Sequence, residues 1–276
     1  MKWLFSILFG CFFAVPPLPR QGTERTDEAI FAEKIKLAAA GNTLAGRSVA
    51  VGKSFVGTPY RSGVLDGLET EQLVVNLRGL DCWTFVENCL AIGLTAQAGR
   101  TDFEFFKTQL QRMRYWGGTV DGYGSRIHYF SGWVLQADKL GLLRDVTQEL
   151  GGLPLRKQFN YMTTHAHHYP KLADPKVRRD LENAEQRINA HSWFFIPKNK
   201  VAASQHLIRD GDIIATTSTK AGLDISHQGF AVRQNGQVYL LHASSEFGRV
   251  MLSKWPLPTY MGRNKGQSGI MVFRLN

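Results

Sequence analysis

Apolar residues fall into two patterns along the chain. Helical spacing dominates the first two-thirds, and short alternating or continuous runs dominate the last third. The spacing predicts helices over Glu28–Ala40 and Leu44–Phe55, then a third helix opening at Cys82, where Cys82, Phe85, Val86, Cys89, Leu90 and Leu94 recur on one face. Further helices are expected over Asp102–Trp116, around Trp133–Leu140 and over Lys176–Ala190, with a Gly-rich turn at Gly117–Gly124. Strands are predicted near Ile213–Thr217, His227–Gln234, Gln237–Ala243 and Ile270–Leu275, with Gly211-Asp212 turning the chain into the first. Helices followed by strands make the fold class α+β, with the Cys82 helix packed on an antiparallel sheet.

Between two of these strands stands Asn235-Gly236, the pair favoured in two-residue type I′ turns because both centres need positive φ. That turn fixes the register. Gln234 faces Gln237, and counting outward, His227 faces Ser244 and His242 faces Gly229. The two histidines then project from the same side of the sheet as diagonal neighbours, ~7–8 Å apart at the backbone, close enough for the imidazoles to meet. Gly229, without a side chain, leaves room opposite His242.

Asp81 has the short acceptor side chain favoured at an N-cap, which puts Cys82 in the first turn of its helix. Unpaired amides and the positive end of the helix dipole stabilise a thiolate there, and the thiolate is the form that attacks carbonyls. Cys89, two turns along on the same face, reads as a buried hydrophobe. A cysteine at a helix start with two histidines sharing a sheet face is a layout for cysteine nucleophilic catalysis.

Gly57-Thr58-Pro59-Tyr60, Asp81-Cys82, His227-Gln228-Gly229 and Leu241-His242-Ala243, in that order, resemble the NlpC-type papain-fold cell-wall cysteine amidases. More narrowly, the runs Asp81–Glu87, Arg126–Phe130, Gly211–Ala215, Gly222–Asp224 and His242–Ser244 resemble the bacterial N-acetylmuramoyl-L-alanine amidase-like branch, over nearly all of residues 45–275. The resemblance implies a papain-like fold with Cys82 as nucleophile, His227 as general base, His242 as the group that orients it, and Tyr60 reaching the site to help hold the oxyanion. It also implies cleavage between the lactyl group of N-acetylmuramic acid, in soluble fragments its 1,6-anhydro form, and L-Ala of the stem peptide. The alternative is an endopeptidase cutting at the D-glutamyl-diaminopimelate bond within the stem. Trp83 replaces the small residue that usually follows the cysteine, which counts against the endopeptidase.

About 130 residues separate the cysteine helix from His227, more than a minimal papain-like core needs, so residues from about 100 to about 200 are read as a helical and loop insertion walling one side of the cleft. Candidate substrate contacts are Trp83, Arg126, Tyr129, Asp224 and Ser244; aromatic faces pack on sugar rings, and Arg126 could hold a carboxylate through paired hydrogen bonds. His165, His167 and His168 crowd together without the partners of a recognised metal spacing and are read as a polar loop; neither metal nor cofactor is expected.

Of the 276 residues, 43% are hydrophobic, enough for a sizeable core, and no linker or repeat divides the chain, so residues 25–276 are expected to form one domain and to act as a monomer. The formal charge of +10 suits an acidic partner such as a muropeptide. Nucleic acid is disfavoured, because the basic residues are scattered and no binding motif is present. Lys2 and the apolar run Trp3–Val15 read as a secretory signal within residues 1–20, implying export, most simply to the periplasm. Leu8-Phe9-Gly10-Cys11 loosely resembles a lipoprotein processing site and makes Cys11 a candidate lipid anchor.

Overall fold

The computed structural model describes residues 25–276. The export signal and Cys11 therefore lie outside the described residues. Helices α1 (Asp27–Ala39), α2 (Leu44–Ser54), α3 (Cys82–Gln97) and α4 (Phe103–Arg114) each start at a side-chain cap: Thr26, Thr43, Asp81 and Asp102 accept from backbone N–H groups of the first turn. The chain then runs through α5 (Phe130–Lys139), β1 (Leu143–Asp145), β2 (Leu153–Pro154), α6 (Tyr161–Thr164), α7 (Pro175–Asn189), β3 (Phe194–Pro197) and α8 (Val201–Ser204). It closes with β4 (Ile213–Ser218), β5 (Ile225–Gln234), β6 (Gln237–Ser244), β7 (Arg249–Leu252), α9 (Leu257–Arg263) and β8 (Gln267–Leu275).

The sheet runs β2-β3-β8-β4-β5-β6-β7, with β1 sharing the edge of β8 beside β3, and every pairing is antiparallel. Alternate residues feed two cores, as a period of two requires. Ile213, Phe230, Val232, Leu241 and Phe273 face the layer of α1–α3, while Ile214, Ala231, Leu240 and Val272 pack with Val201, Leu257 and Met261 of α8 and α9 on the other side. Phe85 of α3 meets Phe230 edge-on at 5.9 Å. Helix α3 is buried around most of its surface, Glu87 included, and the Glu87 carboxylate is met at 2.8 Å by Arg114 of α4.

The expected helices and the four expected strands all form, and the fold is α+β. One expectation is corrected: residues 103–197 are more than a helical and loop insertion, because β1, β2 and β3 within them extend the central sheet. No helix among the described residues is long and apolar enough to cross a membrane.

Candidate active site

Asp81 caps α3 through a reciprocal box: its carboxylate accepts from Thr84 N–H at 2.8 Å, and Thr84 Oγ1 accepts from Asp81 N–H at 3.0 Å. Cys82 is thereby fixed as the first helical residue. The β5–β6 ladder ends at Phe230 and Leu241, so the N–H of Gln228 lies beyond the paired stretch, and it faces the Cys82 sulfur instead. The amides of Cys82 and Trp83 also point toward that sulfur.

The hairpin forms in the register its turn demands. Gln234 pairs with Gln237, and φ is +50° at Asn235 and +76° at Gly236. His227 Nε2 and His242 Nδ1 lie 2.5 Å apart, with the rings nearly perpendicular. The close approach depends on Gly229, where a Cβ would sit 2.5 Å from the Leu241 carbonyl oxygen and 2.9 Å from the His242 Cβ. Tyr260 of α9 packs edge-on against His242 at 5.6 Å and lies within range of a charge on Cys82. Sequence reasoning missed Tyr260, because α9 has only seven residues and lies near the site through tertiary packing alone.

Tyr60 sits in a short parallel bridge with Leu80, its N–H donating to Gly248 O at 2.8 Å, so the residues just before the cysteine helix hold it near the thiol. Burial, together with the charges of Cys82 and Asp81, pushes the Tyr60 hydroxyl up to about 12. It is a neutral donor at physiological pH.

The charge state of the cysteine departs from expectation. Burial, reinforced by Asp81, pushes the Cys82 thiol up to about 12, and the amides of Gln228, Cys82 and Trp83 offset this only in part. The side chain keeps some solvent exposure, but the protein packed round the sulfur strips its hydration. Burial also lowers His227 to about 4; it lowers His242 to about 3, with help from His227. The resting site holds a thiol and two neutral imidazoles.

Beside Asp81 and Trp83 opens a cleft of about 740 Å³. One wall is the loop of residues 63–71; the other comes from residues 123–129 and 161–171, with Tyr123, Tyr129, Tyr161 and Tyr169 giving it an aromatic character. Trp83 lines the cleft and meets Phe130 edge-on at 6.1 Å.

Arg126 lines the cleft as well, with acidic side chains already beside it. Its guanidinium is 2.8 Å from Asp66 and 3.2 Å from Glu71, and it stacks on Tyr123 at 5.0 Å. Tyr129 is a core residue at the cleft floor whose hydroxyl donates to Glu185 at 2.7 Å and accepts from Met162 N–H at 2.7 Å. Asp224 is buried, accepting from Ser131 N–H at 2.8 Å, and burial raises its pKa. Ser244 is the buried last residue of β6, its hydroxyl accepting from Phe247 N–H at 3.2 Å in the turn that follows. Neither Asp224 nor Ser244 is among the residues lining this cleft; their hydrogen bonds brace α5 and the turn after β6. The acidic residues of the 63–71 loop were missed, since only the fold brings them to Arg126.

Comparison with known proteins adds the family. The N-acetylmuramoyl-L-alanine amidase-like family model matches residues 50–270. A crystal structure of an N-acetylmuramoyl-L-alanine amidase from Bacteroides uniformis is similar with a TM-score of 0.77 and 32% identity, over 89% of this chain and 99% of that one. A second structure of that description from the same organism gives 0.78 and 34%, over 86% and 100%. A Bacteroides fragilis protein provisionally described as a xylanase gives 0.74 and 38%, over 81% and 98%. No curated protein matches. The match over most of its length settles the classification: this chain belongs to the N-acetylmuramoyl-L-alanine amidase-like family, and is a hydrolase.

Proposed function

We propose that the protein is a papain-like cysteine amidase of peptidoglycan, cutting the amide between the lactyl group of N-acetylmuramic acid and L-Ala of the stem peptide, with soluble 1,6-anhydro-muropeptides as substrates. The observation that carries this reading is that Cys82, at the capped start of α3, has its sulfur faced by the N–H of Gln228, the residue next to His227 of the hydrogen-bonded His227–His242 pair. The Bacteroides uniformis amidase supports the choice of bond.

His242 occupies Nε2 of His227, leaving Nδ1 as the base. Because the thiol is neutral at rest, proton transfer to His227 accompanies attack of sulfur on the lactyl carbonyl carbon. The carbonyl oxygen becomes an oxyanion held by the Cys82 amide and the Tyr60 hydroxyl; loss of one such donor typically costs ~100-fold in rate. Collapse breaks the C–N bond, and His227 returns the proton to the departing L-Ala amine. Water then attacks the thioester, gives its proton to His227, and releases the lactyl carboxylic acid as the thiol is restored. His242 holds the ring and stabilises the transient imidazolium. Lys2 and the apolar run after it support export as the setting for this substrate.

The test is mass spectrometry of 1,6-anhydro-muropeptides and cross-linked sacculi incubated with wild type and Cys82→Ala. Cys82-dependent release of disaccharide and intact stem peptide from the soluble fragments is the expected result. Cleavage inside the stem would move the protein to the endopeptidase reading.

A further inference from the structure

A scissile bond laid over Cys82 must send its two halves in different directions, and two cavities open beside the site. The cleft described above touches Asp81 and Trp83, the residues flanking the cysteine. A second cavity, of about 470 Å³, is lined by Glu246, Trp255, Tyr260, Arg263 and Asn264. It shares no residue with the first, and it adjoins the site through Tyr260, the ring packed on His242.

Their charges differ. In the first cleft the carboxylates of Asp66, Glu69, Glu71 and Asp81 face two cations, Arg126 and Lys171. Arg126 is paired with Asp66 and Glu71, and Lys171 Nζ donates to the Glu69 carbonyl at 2.7 Å. An anionic ligand would meet uncompensated negative charge there, whereas a neutral ring would meet aromatic faces. In the second cavity one carboxylate, Glu246, faces one cation, Arg263; the Arg263 guanidinium sits over the Trp255 ring at 3.9 Å, and among the described residues no carboxylate, Glu246 included, lies within ion-pair distance of it. Lys254, which precedes Trp255 in the chain and stacks on Phe247 at 4.2 Å, adds a positive charge nearby. A guanidinium fixed on an indole keeps its edge donors free for a carboxylate.

We propose that the Trp255–Arg263 cavity is the leaving-group subsite, where Arg263 binds a carboxylate of the acidic stem peptide, while the aromatic cleft takes the uncharged glycan. This rests on the amidase reading above and assigns the two ends of its substrate. Arg263 is then a specificity residue that tells an acidic stem from a neutral one, since a charge-assisted pair is stronger than a hydrogen bond to an amide.

The test uses two 1,6-anhydro-muropeptides that differ at one group, the α-carboxylate of the second stem residue, free in one and amidated in the other. KM is measured for each with wild type, Arg263→Gln and Asp66→Asn. Arg263→Gln is expected to raise the ratio of KM for the free acid to KM for the amide about tenfold, the effect of losing one charge-assisted hydrogen bond. An unchanged ratio would overturn the proposal. So would a ratio that Asp66→Asn lowers several-fold, which would seat the acidic half in the aromatic cleft. If wild type releases peptide from neither substrate, the amidase reading fails, and this proposal with it.

Discussion

At the scale of single residues, position and charge state have different origins. Asp81-Cys82 announces a capped helix start, and the cysteine lies there, but the thiolate expected from that place does not exist at rest, because burial outweighs the amides around the sulfur. Sequence spacing carries no information about how densely other segments pack round an atom, and Gln228, Tyr60 and Tyr260 all converge from distant positions. Cys82→Ala should reduce turnover by at least about 10⁴-fold while circular dichroism and Tm stay near wild type, as loss of a nucleophile does. Asp81→Asn should keep the cap, since Asn caps as well as Asp, yet remove a charge that raises the thiol pKa. Iodoacetamide should therefore modify Cys82 several-fold faster at pH 7.5 in that variant than in wild type; an equal rate would show that the carboxylate has no hold on the sulfur. In the proposed mechanism His227 is the base and His242 orients it, so His227→Ala should cost more in kcat than His242→Ala, with both variants folded.

Among secondary-structure elements, those with long periodic patterns or a diagnostic turn were legible, and those made by tertiary contact were not. The β5–β6 hairpin and its register follow from Asn235-Gly236, and the histidine pair follows from the register. Strands β1, β2 and β3 have two to four residues each, too few to display alternation, and exist because β8 and β3 offer edges to pair with. The hairpin has one narrow tolerance. Gly229→Ala places a methyl against the Leu241 carbonyl and His242, and should cost about 1–3 kcal/mol in stability, the range for overpacking, together with a larger loss in kcat as the imidazoles part. Urea unfolding and single-turnover rates measure the two effects separately. Helix α3 is held differently. Removing Arg114 would strand Glu87 in the core, so Arg114→Leu should destabilise by about 3–5 kcal/mol, and Glu87→Gln by less.

Over the whole molecule, the depressed histidines and the raised thiol set a window of stability. His227 binds its proton at about 4 in the fold, against 6.5 when free of it, so the unfolded chain takes up protons first. Stability falls as pH drops below about 6.5, and the share due to His227 is on the order of 3 kcal/mol, complete near pH 4. Cys82 acts in the opposite direction. Its thiol ionises near 9.0 when unfolded and at about 12 when folded, so stability is lost as pH rises above 9. In Tm measured against pH, the alkaline limb should flatten in Cys82→Ala, and the acid limb should flatten when both histidines are replaced by Asn. A neutral sulfur has a further consequence. Peroxide and small alkylating agents attack thiolates, so both should modify Cys82 slowly in the substrate-free protein at neutral pH. An inhibitor should succeed by filling the cleft first and reacting second, since reactivity here is conferred by occupancy.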